Sequence, residues 1–180
     1  MNTPDLVTML GNITQSLYPV QNLIQGVAYI LGILFFMTAI AKFRKIGDQR
    51  SQSSSHDSMY GPIIYMIMGS MLLFLPTGVQ VLSNTAFGTG NVLSYQTVDR
   101  KNVYSAVGLL IRTGGLLWFV RGCVLVAHAS ESGSKDGIKG FMFLIAGVLC
   151  INFDNTIAIV NYTIMGVINS TLALKKSQGF

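Results

Sequence analysis

Four stretches of this chain run on with almost no charge, over about 20–41, 59–82, 103–129 and 138–174. A hydrocarbon core about 30 Å thick is crossed by about 20 helical residues, and inside it every backbone polar group must be satisfied within its own segment. Four such runs in 180 residues restrict the fold to an all-α, polytopic membrane protein. Composition agrees. Charged residues make up 11% of the chain and hydrophobic ones 51%, where a soluble domain carries about 25% charged residues. Mean hydropathy is +0.53. So few charges could not cover a soluble exterior of this size, and lipid removes that requirement. The net charge of +5 would also suit a nucleic acid. The basic residues, however, stand at the ends of apolar runs, where they meet anionic headgroups and set orientation, so no nucleic-acid readout is expected.

The connections carry the topology. Residues 46–58 and 130–137 are polar and serine-rich, and 84–102 is a longer loop ending in Asp99-Arg100-Lys101-Asn102. Lys42, Arg44, Lys45, Arg50, Lys135 and Lys139 flank the two serine-rich turns, against Arg100, Lys101, Lys175 and Lys176 on the other side. The excess places the turns in the cytoplasm and both termini outside. Residues 1–19 hold no Lys or Arg, so no cleaved leader is expected. Within them Leu6, Met9, Leu10, Ile13 and Leu17 recur at helical spacing after Pro4-Asp5, which reads as an interfacial helix or a contact with a partner. The run 138–174 is too long for one straight crossing, and a break is expected near Asp154-Asn155.

The two halves are related. At an offset of 79, Ser51, Ser53, Ser55, Asp57 and Gly61 fall on Ser130, Ser132, Ser134, Asp136 and Gly140, and Lys42 on Arg121. After a one-residue gap Gly69 falls on Gly147, Thr85 on Thr163 and Gly88 on Gly166. The expected organisation is an outer segment 1–19, a first hairpin repeat 20–88, an outer loop 89–102, a second hairpin repeat 103–174 and an outer tail 175–180. Two spans per unit give two hairpins of the same orientation, a parallel repeat.

Gly108, Gly115 and Gly122 recur every seven residues, and Gly140 and Gly147 repeat that spacing. Small residues on one stripe let helices approach in lipid, where van der Waals contact replaces the hydrophobic drive. The stripe of the third span is assigned to assembly between chains. Arg112 and Asp154 lie at equal depths, about 25 and 24 Å from the serine-rich turn by helical rise. They are read as an ion pair, with a pore-lining ion or proton site as the alternative. Arg121 is close enough to the basic end to snorkel.

No residue pattern of an enzyme is present. GxxxxGK[ST], HExxH and GxSxG are absent, so no catalytic, metal or cofactor residues are assigned. His56 and His128 read as solvated or interfacial. Cys123 and Cys150 differ in depth and read as buried small hydrophobes rather than a disulfide. Anionic phospholipid on the basic turns (Lys42, Arg44, Lys45, Arg50, Arg121, Lys135, Lys139) is the one bound molecule considered.

Paired apolar spans, the Lys42-Phe43-Arg44-Lys45 stop, the serine-rich turn and the segments Leu75-Pro76-Thr77-Gly78 and Phe153-Asp154-Asn155-Thr156 together resemble the IcmC/DotE proteins of Dot/Icm type IVB secretion systems. The related DotV proteins and the TraQ proteins of IncI-type conjugation are similar. The resemblance covers most of the chain and implies a bacterial inner-membrane subunit, a channel or scaffold that assembles with itself or with paralogous subunits. The hairpin unit also resembles a conjugative pilin, which keeps open a pore or pilus subunit made of two fused hairpins. A small four-helix transporter is the third reading.

Overall fold

The computed structural model describes residues 6–52, 59–88, 103–131 and 136–177, and those residues are almost wholly helical. Among the described residues six helices follow one another: α1 (Leu6–Gln52), α2 (Tyr60–Leu73), α3 (Leu75–Phe87), α4 (Val103–Ala129), α5 (Gly137–Ile151) and α6 (Phe153–Ser177). Three are long and apolar enough to cross a membrane, and four if the bent pair α2–α3 is one span. Lipid suits their surfaces: Leu23, Val27, Ile30, Leu34 and Met37 stand exposed along α1. Residues 1–5, the loop 89–102, 53–58 and 132–135 of the serine-rich turns, and the tail 178–180 lie outside the described residues.

α1 has 47 residues, about 70 Å at the helical rise. The segment read from the sequence as a separate interfacial helix is part of it, joined to the span through Pro19. Proline costs one intrahelical bond, a loss that helices in lipid absorb.

The second span does not run straight. It divides at Phe74, and α3 turns by 103° from α2. Pro76 permits the break: it lacks an N–H and lies in the first turn of α3, where proline is tolerated. The break is satisfied locally, with Phe74 N–H donating to Ser70 O (3.0 Å) and Gly78 N–H to Phe74 O (2.8 Å). The last run also divides, at Asn152 rather than at Asp154-Asn155. Asn152 N–H donates to Val148 O (3.0 Å), and the Thr156 hydroxyl reaches back across the break to Leu149 O (2.8 Å), filling a carbonyl that the interrupted ladder leaves open. Phe74 (φ −107°, ψ 47°) and Asn152 (φ −94°, ψ 42°) share one backbone conformation and lie 78 positions apart.

Packing inside each hairpin depends on backbone approach. A Cβ on Gly115 would lie 2.7 Å from Cys150 Cβ and 2.9 Å from Gly147 O and Ile151 N. Gly122 meets Leu144 N and Gly140 O at 2.7 and 3.0 Å in the same sense, and Gly147 meets Phe119 N at 2.8 Å. The stripe assigned above to contacts between chains is therefore spent within the chain, on the α4–α5 seam. Gly108 is the looser member, with Phe153 at an ordinary 3.6 Å. In the first hairpin Gly32 stands to Leu73 N (2.8 Å) and Gly69 O (3.0 Å) as Gly115 stands to Ile151 N and Gly147 O. These contacts match at the offset of 78 in the return helices. In the leading helices they match at 83, one turn away from the 79 read off the basic stop, because glycine contacts and not charges set the helix register.

α1 and α4 run in the same direction. Gln21 Nε2 donates to Thr113 Oγ1 (2.8 Å) at one end of the pair and Lys42 Nζ to Glu131 Oε1 (2.7 Å) at the other. Between those ends lies the core, in which Ala28, Ala39, Leu72, Phe119, Cys123 and Ala127 are fully enclosed.

Candidate functional site

Two polar layers close the two ends of this core. The layer at the basic end gathers residues from three helices. Lys42 (α1) and the Tyr65 hydroxyl (α2) both donate to Glu131 Oε1 at 2.7 Å, just past α4. The Lys42 ammonium also stands 4.0 Å from the Tyr65 ring centroid, a cation–π contact. Tyr65 packs edge-on against Phe35 (5.4 Å) and His128 (6.4 Å). His128 Nδ1 lies 2.9 Å from Val124 O, so that nitrogen carries the proton. The Lys42 and Tyr65 hydrogen bonds hold the Glu131 carboxyl below its ordinary range. A lowered carboxylate pKa stabilises the folded state above the unfolded value, and that stabilisation is lost as pH falls through the folded value. This joint thus contributes at neutral pH and weakens in acid, by a small amount because solvent screens so exposed a carboxylate.

The second layer lies at the distal end. Arg112 donates to the Asp154 carboxylate, so α4 and the first turn of α6 are ion-paired. Half of the Asp154 side chain stays exposed, and Arg112 Nε is enclosed with no partner among the described residues. Beside the pair, Thr113 accepts from Gln21 and donates to Leu109 O (2.8 Å). The buried Asn152 amide donates to Ser83 of α3 and to Val148 O (3.0 Å). The break residue of the second hairpin is in this way tied to the bent arm of the first.

The remaining basic residues divide. Lys42 has protein partners where the sequence suggested lipid. Lys139 pairs with Asp136 at 3.2 Å, and the Arg121 guanidinium stands 5.2 Å from the Phe143 centroid. Arg44 and Lys45 are exposed and line a groove on α1 with Met37, Ile40, Ala41, Asp48 and Gln49, a basic pair beside an apolar wall. Arg50 is in the last turn of α1, and Lys135 lies outside the described residues. Cys123 and Cys150 are both free thiols. Among the described residues no group of three His, Cys, Asp or Glu side chains is placed to hold a metal ion.

Gln21, Tyr65, Ser83, Thr113 and Glu131 were not singled out by the sequence. Lone polar residues within or beside apolar runs were the available signal for the first four. Glu131 read as one more polar residue of a turn. No family model, curated protein or solved structure matches the chain.

Proposed function

We propose that this chain is a structural subunit, a channel or scaffold component, of a bacterial inner-membrane secretion or conjugation apparatus of the type IVB kind, built as two parallel hairpin repeats. The observation that supports the reading is that α1 and α4 run in one direction, with one glycine contact, Gly32 on Gly69, that has its counterpart in Gly115 on Gly147, and helix breaks of like backbone conformation at Phe74 and Asn152. Repeated hairpins of one orientation make a wall element, and the polar layers act as clamps that hold each copy to the next. Side chains at both layers are engaged with one another, as a rigid building block requires. The basic end faces the cytoplasm, with the N-terminal end of α1 on the other side. Arg44 and Lys45, on the polar side of a groove on α1 that also holds Asp48 and Gln49, suit an anionic phospholipid whose chains lie along Met37 and Ile40.

Purification of the tagged protein in mild detergent tests the assembly. The expected result is a particle containing several copies or further membrane subunits. A lone 19.5 kDa protomer that moves solutes across liposomes by itself would replace the scaffold with a transporter.

A further inference from the structure

We propose that α6 is a crossing of its own, returning through the bilayer from the distal side to the basic side, so that Lys175-Lys176 ends among anionic headgroups on the side of the serine-rich turns. The inference rests on membrane embedding alone, not on the assembly proposed above, and it replaces the outward C terminus expected from four spans.

Where α5 ends decides the matter. α5 packs along α4 over its whole length, with Gly140 against Val126, Gly147 against Phe119 and Ile151 against Gly115, and the first side chain of α6, Phe153, reaches on to Gly108. Gly115 lies about 21 Å along α4 from Ala129 by helical rise and Gly108 about 32 Å, so the hydrocarbon thickness is completed at the start of α6. Phe153 also stacks on Tyr104, still nearer the distal end of α4. Wherever α4 is embedded, α5 is embedded beside it, and the break at Asn152 has reached the distal boundary. The Arg112–Asp154 pair marks that boundary.

Beyond it, α6 still runs 25 residues. Twenty residues without a charge separate Asp154 from Lys175, about 30 Å by helical rise. This is the length of one more crossing, bounded by a carboxylate at the distal end and two lysines at the other. The helix is a candidate span on its own composition. Every residue from 158 to 175 is exposed, Ile164, Val167, Ile168 and Leu172 among them. Such a surface is stable when bilayer covers it and costly in water. Running straight on from α5, the helix would carry these residues into water; turned at Asn152, it keeps them in lipid.

The basic residues agree. With α6 as a crossing, eight of them (Lys42, Arg44, Lys45, Arg50, Lys135, Lys139, Lys175 and Lys176) flank one side, against Arg100 and Lys101 on the other. With the C terminus outward the division is six against four. The positive-inside rule selects the first arrangement.

Three single-cysteine variants, Ser53→Cys, Gly90→Cys and Ser177→Cys, in a Cys123→Ala/Cys150→Ala background test this with a membrane-impermeant maleimide on intact cells. The readout is which reference position Ser177→Cys follows, so it holds even if the absolute orientation is reversed. Expected is labelling of Ser177→Cys only after permeabilisation, together with Ser53→Cys, while Gly90→Cys reacts throughout. Ser177→Cys reacting in step with Gly90→Cys would overturn the proposal. Alkaline phosphatase fused after Phe180 and, separately, after Gly90 gives the same answer without a cysteine: the two fusions differ in activity if α6 crosses and agree if it does not.

Discussion

Replacing Gly115 with leucine should abolish folding of the second hairpin, whereas the same change at the adjacent Gly114 should be tolerated. A Cβ at position 115 would already lie 2.7–2.9 Å from Cys150 Cβ, Gly147 O and Ile151 N, and two of those three are backbone atoms that no rotamer change can move. At Gly114 nothing lies within 4 Å. Overpacking a close contact costs roughly 1–3 kcal/mol and more when helices must separate, and in lipid the seam has little beyond van der Waals contact to oppose that loss. Gly115→Ala should lower thermal stability in detergent by several degrees, and Gly115→Leu should leave the protein inserted but readily cleaved by protease. Equal behaviour of the 114 and 115 variants would mean that α4 and α5 do not meet on this face.

The second large effect concerns Arg112 and Asp154. Either Arg112→Leu or Asp154→Asn strands one partner at the distal end of the core. Breaking a fully buried pair costs roughly 3–5 kcal/mol. Here Arg112 is mostly enclosed and Asp154 half exposed, so about 1–3 kcal/mol is expected, the cost of one unsatisfied polar group. The double variant Arg112→Leu/Asp154→Asn should recover most of the loss, since neither charge then lacks a partner. Thermal unfolding of the four proteins in one detergent reads the coupling. Additive losses would show that the two side chains act independently. A double variant that is as stable as the native protein yet loses the activity proposed above would instead place the charges at a functional site.

The elements that were legible from sequence are those governed by local composition. Apolar runs between clustered lysines and arginines define helices by length alone, so the apolar middle of α1 and the whole of α4 are plain, while the extension of α1 to Leu6 and Gln52 is not. Breaks were legible only in part. Asp154-Asn155 signalled the second one to within two or three residues, but Pro76 alone did not announce a 103° turn, because proline inside a membrane helix gives anything from a slight bend to a full break. What turns α3 is tertiary: Leu75 and Val79 enter the core and Ser83 meets Asn152, a residue 69 positions away. The glycine stripe was visible, yet a seven-residue spacing does not say whether the facing helix belongs to the same chain. Charge pairing was legible where both partners interrupted apolar sequence, as Arg112 and Asp154 do. It was hidden at Glu131, whose significance comes from Lys42 and Tyr65 reaching it from distant parts of the chain.

The like orientation of the two hairpins is the claim on which the account turns, and paired cysteines read it directly. In the cysteine-free background, Gln21→Cys with Thr113→Cys and Lys42→Cys with Glu131→Cys should each be joined within one chain by a bis-maleimide, whose span replaces the long side chains that make the native 2.8 and 2.7 Å contacts. The crossed pair, Gln21→Cys with Glu131→Cys, should remain unjoined, because these positions lie at opposite ends of the core. Joining of the crossed pair in place of the two direct pairs would show α1 and α4 running in opposite directions and would contradict the parallel arrangement.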